Sequence, residues 1–79
     1  MLTKEQINEI ETFASLFFTD AEIMIIVGIE DIDQTFKNSV KRGRLLGEAK
    51  IRKSIFDMAE SGSGPAQTMA MKIMQNQKR

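Results

Sequence analysis

Thr19-Asp-Ala-Glu-Ile-Met-Ile-Ile-Val-Gly-Ile29 contains the signals for a short helix and for the turn that ends it. Thr19 and Glu22 form a capping box, in which each side chain accepts a hydrogen bond from the other residue's backbone N–H. Gly28 supplies the left-handed residue that commonly follows a helix end. These signals predict a helix over residues 20–27.

Similar signals repeat along the chain and indicate helices throughout. Thr3-Lys-Glu-Gln6 is a second capping box followed by apolar residues at helical spacing, and Pro65 suits the first turn of a later helix. No stretch has the alternation of a strand. We expect an all-α protein, a compact bundle of about five short helices forming one domain over residues 1–79. The predicted helices cover about 4–15 and 20–27, a third beginning at Asp31, a fourth over 44–60 and a fifth over about 65–76. Continuity of the third and fourth helices through Gly43 stays open.

The second and third predicted helices, over about residues 19–42, have the order of a helix-turn-helix unit. A capped short helix leads to a glycine turn, and Ile32 and Phe36 anchor the next helix. A basic helix and a C-terminal helical hairpin are expected to follow over about 44–77. The basic helix is expected to bury one apolar arc, comprising Leu45, Ala49, Ile51, Ile55, Phe56, Met58 and Ala59.

Charge is divided between the halves of the chain, although the net charge is zero. Residues 1–36 contain one base and eight acids (1 − 8 = −7), and residues 37–79 contain ten bases and three acids (10 − 3 = +7). Such a split is typical of nucleic-acid binding or of acidic and basic faces that meet. Asp31 and Asp33 would repel phosphates, so we expect the DNA contact further along the chain. The candidate DNA-binding residues are Lys37, Lys41, Arg42, Arg44, Lys50 and Lys53.

Composition excludes several classes of function. The chain has no His and no Cys, which excludes Ser-His and Cys-His nucleophiles and ordinary zinc sites. We expect no catalytic residue, no metal site and no cofactor. Because Trp and Tyr are also absent, base stacking on single strands is disfavoured and double-stranded DNA is the expected nucleic acid. The longest apolar run, Ile23–Ile29, is far shorter than the roughly 20 residues of a membrane helix, and the N-terminus lacks a secretory pattern. An intracellular protein without a membrane span is expected.

The last predicted helix is rich in methionine. Met69 shares a face with Ala66 and Ala70, while Met71 and Met74 lie on the other side. One small domain cannot easily cover this much adaptable apolar surface, which favours a homo-oligomer or another partner. The candidate interface residues are Met69, Met71 and Met74.

The order of several motifs resembles the small terminase subunits that tailed phages and prophages use for DNA packaging. The motifs cover about residues 19–74. They are the Glu22–Ile29 turn region, Gly43-Arg44, the basic stretch Lys50–Lys53, the helix end Ala59–Gly62, and Ala66–Lys72. The resemblance implies a non-enzymatic, ring-forming protein that recognises viral DNA in the cytoplasm of a bacterial host cell. It also implies a large, ATP-driven terminase subunit as a partner.

Two other classes of function stay open. One is a homo-oligomeric helical interaction module, in which the acidic half of one copy contacts the basic half of the next. The other is a helix-turn-helix transcriptional regulator of a mobile element.

Overall fold

The structure, a computed structural model, describes residues 1–76, a range that is all-helical and contains four helices and no strand. The helices are α1 (Lys4–Ser15), α2 (Asp20–Val27), α3 (Gln34–Glu60) and α4 (Gly64–Asn76). The predicted all-α class is confirmed, and the first two helices have their predicted bounds. The prediction of five helices is wrong, because the third and fourth are one continuous helix. Residue 77, the expected end of the C-terminal hairpin, lies outside the described residues.

Gly43 does not end a helix. It lies inside α3, where its lack of a side chain lets α3 pack closely against α1. A Cβ on Gly43 would lie only 2.7 Å from the Ala14 Cβ and 2.9 Å from the Glu11 Cα. Gly47, one turn further on, approaches the backbone of Ser15, where a Cβ would lie 3.0 Å from the Ser15 Cα. The two glycines therefore let α3 lie directly against the last turn of α1. Glycine is about 1 kcal/mol less favourable than alanine inside a helix, and the close contact with α1 offsets this cost.

Both predicted capping boxes are confirmed. The Thr3 backbone N–H donates to Gln6 Oε1 at 2.9 Å, and the Gln6 N–H donates to Thr3 Oγ1 at 3.1 Å. In α2 the Thr19 N–H donates to Glu22 Oε1 at 2.9 Å, and the Glu22 N–H donates to Thr19 Oγ1 at 3.2 Å. Each box satisfies two N–H groups that the first turn of a helix leaves without a partner.

The connection between α2 and α3 differs from the expected turn. It contains six residues, Gly28–Asp33, whereas a helix-turn-helix turn has about three or four. Asp33 Oδ1 accepts the Phe36 N–H at 2.8 Å, so α3 begins directly after Asp33 and about three residues later than expected. Ile32 is 49% exposed and does not anchor the helix. The helix-turn-helix-like unit predicted for about residues 19–42 is not confirmed.

The chain divides into two compact units, the first covering Met1–Glu48 and the second beginning at Ala49. The core of the first unit consists of Ile10, Ala14, Ile23, Phe36 and Val40, all buried. In the second unit, Ala66 and Ala70 of α4 are buried. Four residues expected in the buried arc are exposed instead: Leu45, Ala49, Ile51 and Met58. The other three, Ile55, Phe56 and Ala59, are half-buried. Leu45 is exposed because it lies about 180° around α3 from the buried Phe36, at about 100° per residue.

Candidate nucleic-acid and protein interfaces

Two of the six candidate DNA-binding residues form ion pairs inside the first unit. Arg42 Nε lies 3.2 Å from Glu11 Oε1 of α1. Arg44 Nη2 lies 2.7 Å from Asp20 Oδ1, at the first residue of α2, and donates to the Phe18 carbonyl oxygen at 3.3 Å. Both pairs are partly solvent-exposed, so each contributes about 0–1 kcal/mol. Acidic and basic halves of the chain therefore meet within one molecule, and these arginines help to hold α3 against the elements before it.

Lys37 and Lys41 form a second group on α3 in the first unit. Both are exposed, and neither has a carboxylate partner within residues 1–76. They lie one helical turn apart, so their ammonium groups are on the same side of the helix. Lys37 and Lys41 line a shallow groove with Arg44, Asp20 and Glu48. The three cations outnumber the two carboxylates there, so the groove favours an anion.

The second unit contains the other two candidate DNA-binding residues. Lys53 Nζ lies 3.1 Å from Asp57 Oδ2, one turn along the same helix. Both side chains are largely exposed, so the pair is weak and a phosphate can compete for Lys53. Lys50 is exposed, and the described part of the chain offers it no carboxylate partner.

The candidate interface methionines of α4 do not all lie together. Met71 and Met74 line an open, mainly apolar groove within the second unit, and Met69 does not line it. The other residues of this groove are Phe56, Ala59, Glu60, Gln67 and Ala70. All three methionines are at least half exposed. Met71 and Met74 are therefore available to a partner at one place, and Met69 at another.

Sequence reasoning missed a larger set of exposed apolar residues in the first unit. Ile25 is 81% exposed, Ile26 is 47% exposed, and Leu45 and Leu46 are similarly open. A signal for the α2 pair exists in the sequence: residues 23–27 are all apolar, so packing of Ile23, Met24 and Val27 on the core leaves the side with Ile25 and Ile26 uncovered. No comparable signal marks Leu45, because the positions of α1 and α2 decide which side of α3 is covered.

No cluster of three or more acidic side chains within residues 1–76 is arranged to hold a metal ion. In the same range no helix is both long and apolar enough to cross a membrane. Comparison with known protein families, with curated proteins and with solved structures gives no match to this chain.

Proposed function

We propose that the protein is a non-enzymatic DNA-binding protein that acts in viral or prophage genome packaging, like the small terminase subunits that its sequence resembles. Lys37 and Lys41 contact phosphates of double-stranded DNA from one side of α3. Lys50 and Lys53 supply further phosphate contacts. Arg42 and Arg44 do not contact DNA. They position α3 through their ion pairs with Glu11 and Asp20. A large terminase subunit is the expected partner for the motor function that this chain lacks.

The observation that carries the proposal is the state of Lys37 and Lys41. A lysine already paired with a carboxylate must give up that contact before it binds a phosphate, whereas these two lose only water and counterions. Two unpaired cations one turn apart match a backbone-tracking contact, which gives affinity without sequence readout. The connection between α2 and α3 does not contact the DNA, because its carboxylates, including those of Asp31 and Asp33, would repel the phosphates.

Binding of a fluorescent DNA duplex as a function of salt tests the proposal. Each phosphate contact contributes about 0.9 to the slope of log K against log salt, so Lys37→Gln and Lys41→Gln should each reduce the slope by about 0.9. Lys4 is the only base in residues 1–36, and Lys4→Gln is the matched control, which should leave the slope unchanged. Wild-type protein that does not bind DNA at about 50 mM salt, where electrostatic binding is strong, would overturn the proposal.

A second candidate function is self-association through the methionine groove of the second unit. Met71 and Met74 are exposed and adaptable, and the groove beside them is mainly apolar. Replacing both with Glu should lower the mass measured by sedimentation while leaving the helical circular dichroism unchanged. Met69→Glu is the matched control, because Met69 is equally exposed and lies outside the groove. Unchanged mass in the double variant would exclude this groove as the contact.

A further inference from the structure

Four exposed residues of α3 in the first unit lie on one stripe, on the side away from the core. They follow one another at intervals of four, three and four residues: Gln34, Asn38, Lys41 and Leu45. At about 100° per residue they lie within about 60° of one another and roughly opposite the buried Phe36. These four residues are here named the α3 outer stripe.

The first two residues of the stripe are joined by a hydrogen bond between their side-chain amides. Gln34 Nε2 donates to Asn38 Oδ1 at 2.9 Å, one turn along the helix. Within residues 1–76 this leaves Gln34 Oε1 and the Asn38 amino group without another partner. The joined amides therefore present one acceptor and one donor group to solvent, and the reverse hydrogen bond would leave the same two kinds of group.

Adenine presents the complementary groups in the major groove of DNA. Its N6 amino group donates and its N7 accepts, whereas guanine presents two acceptors there. Gln34 Oε1 can accept from N6 while the Asn38 amino group donates to N7. At guanine, Gln34 Oε1 would face the O6 acceptor instead, and two acceptors that meet without a proton lose the hydrogen bonds that each makes with water. The amide pair therefore distinguishes adenine from guanine.

Leu45 is the apolar member of the stripe. It is 55% exposed and lines the same open groove as Asn38 and Lys41. An exposed aliphatic side chain among polar and basic neighbours fits the C5 methyl group that thymine presents in the major groove. Leu45 follows Asn38 by seven residues, which is about 10 Å along the helix axis and corresponds to about three base pairs.

We propose that the α3 outer stripe lies in the major groove of DNA, where Gln34 and Asn38 read an adenine and Leu45 reads a thymine methyl group. Lys41, together with Lys37 at the edge of the stripe, contacts the phosphates beside these bases. The major groove is about 12 Å wide and admits an α-helix. This inference rests on the proposed function and deepens it, because the lysines provide affinity and the other three residues provide sequence specificity.

Modified bases test the two contacts separately. A binding site for the wild-type protein is first selected from random duplexes, and it should contain an adenine and a thymine about three base pairs apart. In the selected duplex, 7-deazaadenine in place of adenine removes N7, and uracil in place of thymine removes the methyl group. Each replacement should weaken wild-type binding at least about threefold, because it removes one hydrogen bond or one apolar contact.

Variants of the stripe assign each base to its side chain. Asn38→Ala should bind both the 7-deazaadenine duplex and the unmodified duplex equally, and Leu45→Ala should do the same with the uracil duplex. Each variant should keep its sensitivity to the other replacement and the wild-type salt slope, because neither removes a phosphate contact. Asn8→Ala, exposed on α1, is the matched control and should respond to both replacements as the wild type does.

The possible negative results separate this inference from the function on which it rests. Salt-dependent duplex binding without preference for any base would overturn the inference and leave the proposed function standing. A base preference that persists unchanged in both Asn38→Ala and Leu45→Ala would do the same, because other residues would then read the site. Wild-type protein that does not bind any duplex at about 50 mM salt would overturn the proposed function and this inference together.

Discussion

Phe17 is the one non-glycine residue within residues 1–76 with a positive φ, at 65°. It follows α1 and closes that helix, with its N–H donating to the Ala14 carbonyl oxygen at 2.9 Å and the Phe18 N–H donating to the Phe13 carbonyl oxygen at 3.2 Å. The Phe13 and Phe18 rings meet edge to face, 5.7 Å apart. This apolar contact commonly accompanies such a helix end and helps to hold Phe17 in a conformation that costs about 1–2 kcal/mol outside glycine.

Gly62 closes α3 with the same hydrogen-bond pattern, at φ 100°. A Cβ at Gly62 meets no atom within 4 Å, so Gly62→Ala changes the backbone preference and nothing else. We expect it to lower the free energy of unfolding by about 1 kcal/mol. Gly62→Asn should cost less than Gly62→Ala, because Asn adopts the left-handed conformation more readily than other non-glycine residues. Urea unfolding of both variants checks the prediction, and equal losses would contradict it.

At the scale of the elements, Gly43 lies at the contact between α3 and the last turn of α1. Helix propensity alone predicts that Gly43→Ala stabilises α3 by about 1 kcal/mol. The added Cβ would overlap the last turn of α1, so we expect the variant to lower the free energy of unfolding by at least about 1–3 kcal/mol. Lys37→Ala, exposed on the same helix, is the control and should stay within about 0.5 kcal/mol of the wild type. A stabilised Gly43→Ala protein, measured by thermal unfolding, would mean that α1 does not lie against this glycine.

The N-terminal cap of α2 makes this element sensitive to acid. Hydrogen bonds from the Thr19 backbone N–H and hydroxyl lower the pKa of Glu22 below its ordinary value of 4.5. Because the folded-state pKa is lowered, the stabilisation is complete above the ordinary value and is lost as the pH falls through the folded-state pKa. We expect an NMR titration to give a Glu22 pKa below 4.5 in the wild type. Thr19→Val, which removes the hydroxyl donor, should raise it, and an unchanged pKa would contradict this account of the cap.

At the scale of the whole molecule, the formal net charge is zero and its sources are Lys, Arg, Asp and Glu side chains. The chain has neither His nor Cys, so it contains no side-chain type whose ordinary pKa lies between about 5 and 8. We expect DNA binding to change less than about twofold between pH 6 and 7.5 and to weaken steadily with salt, which screens exposed charges over about 10 Å at 0.1 M. Binding of a fluorescent duplex across both series measures this. A strong pH dependence in that range would mean that binding does not rest on contacts between lysines and phosphates.

Local features of this protein follow from the sequence by itself. The two capping boxes, the left-handed glycine after α2 and the bounds of α1 and α2 all depend on hydrogen bonds between residues at most about four positions apart. The all-α class follows from the same short-range signals. The charge split between the halves is also visible in the sequence, whereas the partners of the individual charges are not.

Only the tertiary structure decided which residues those segments bring together. Arg42 finds Glu11 and Arg44 finds Asp20 across 31 and 24 positions, and no local pattern selects these partners. Gly43 continues a helix instead of ending it because α1 lies against it. Leu45 is exposed because α1 and α2 cover the other side of α3 in the first unit. In each case the outcome depends on atoms that are distant in the chain, whose positions are determined by packing and not by neighbouring residues.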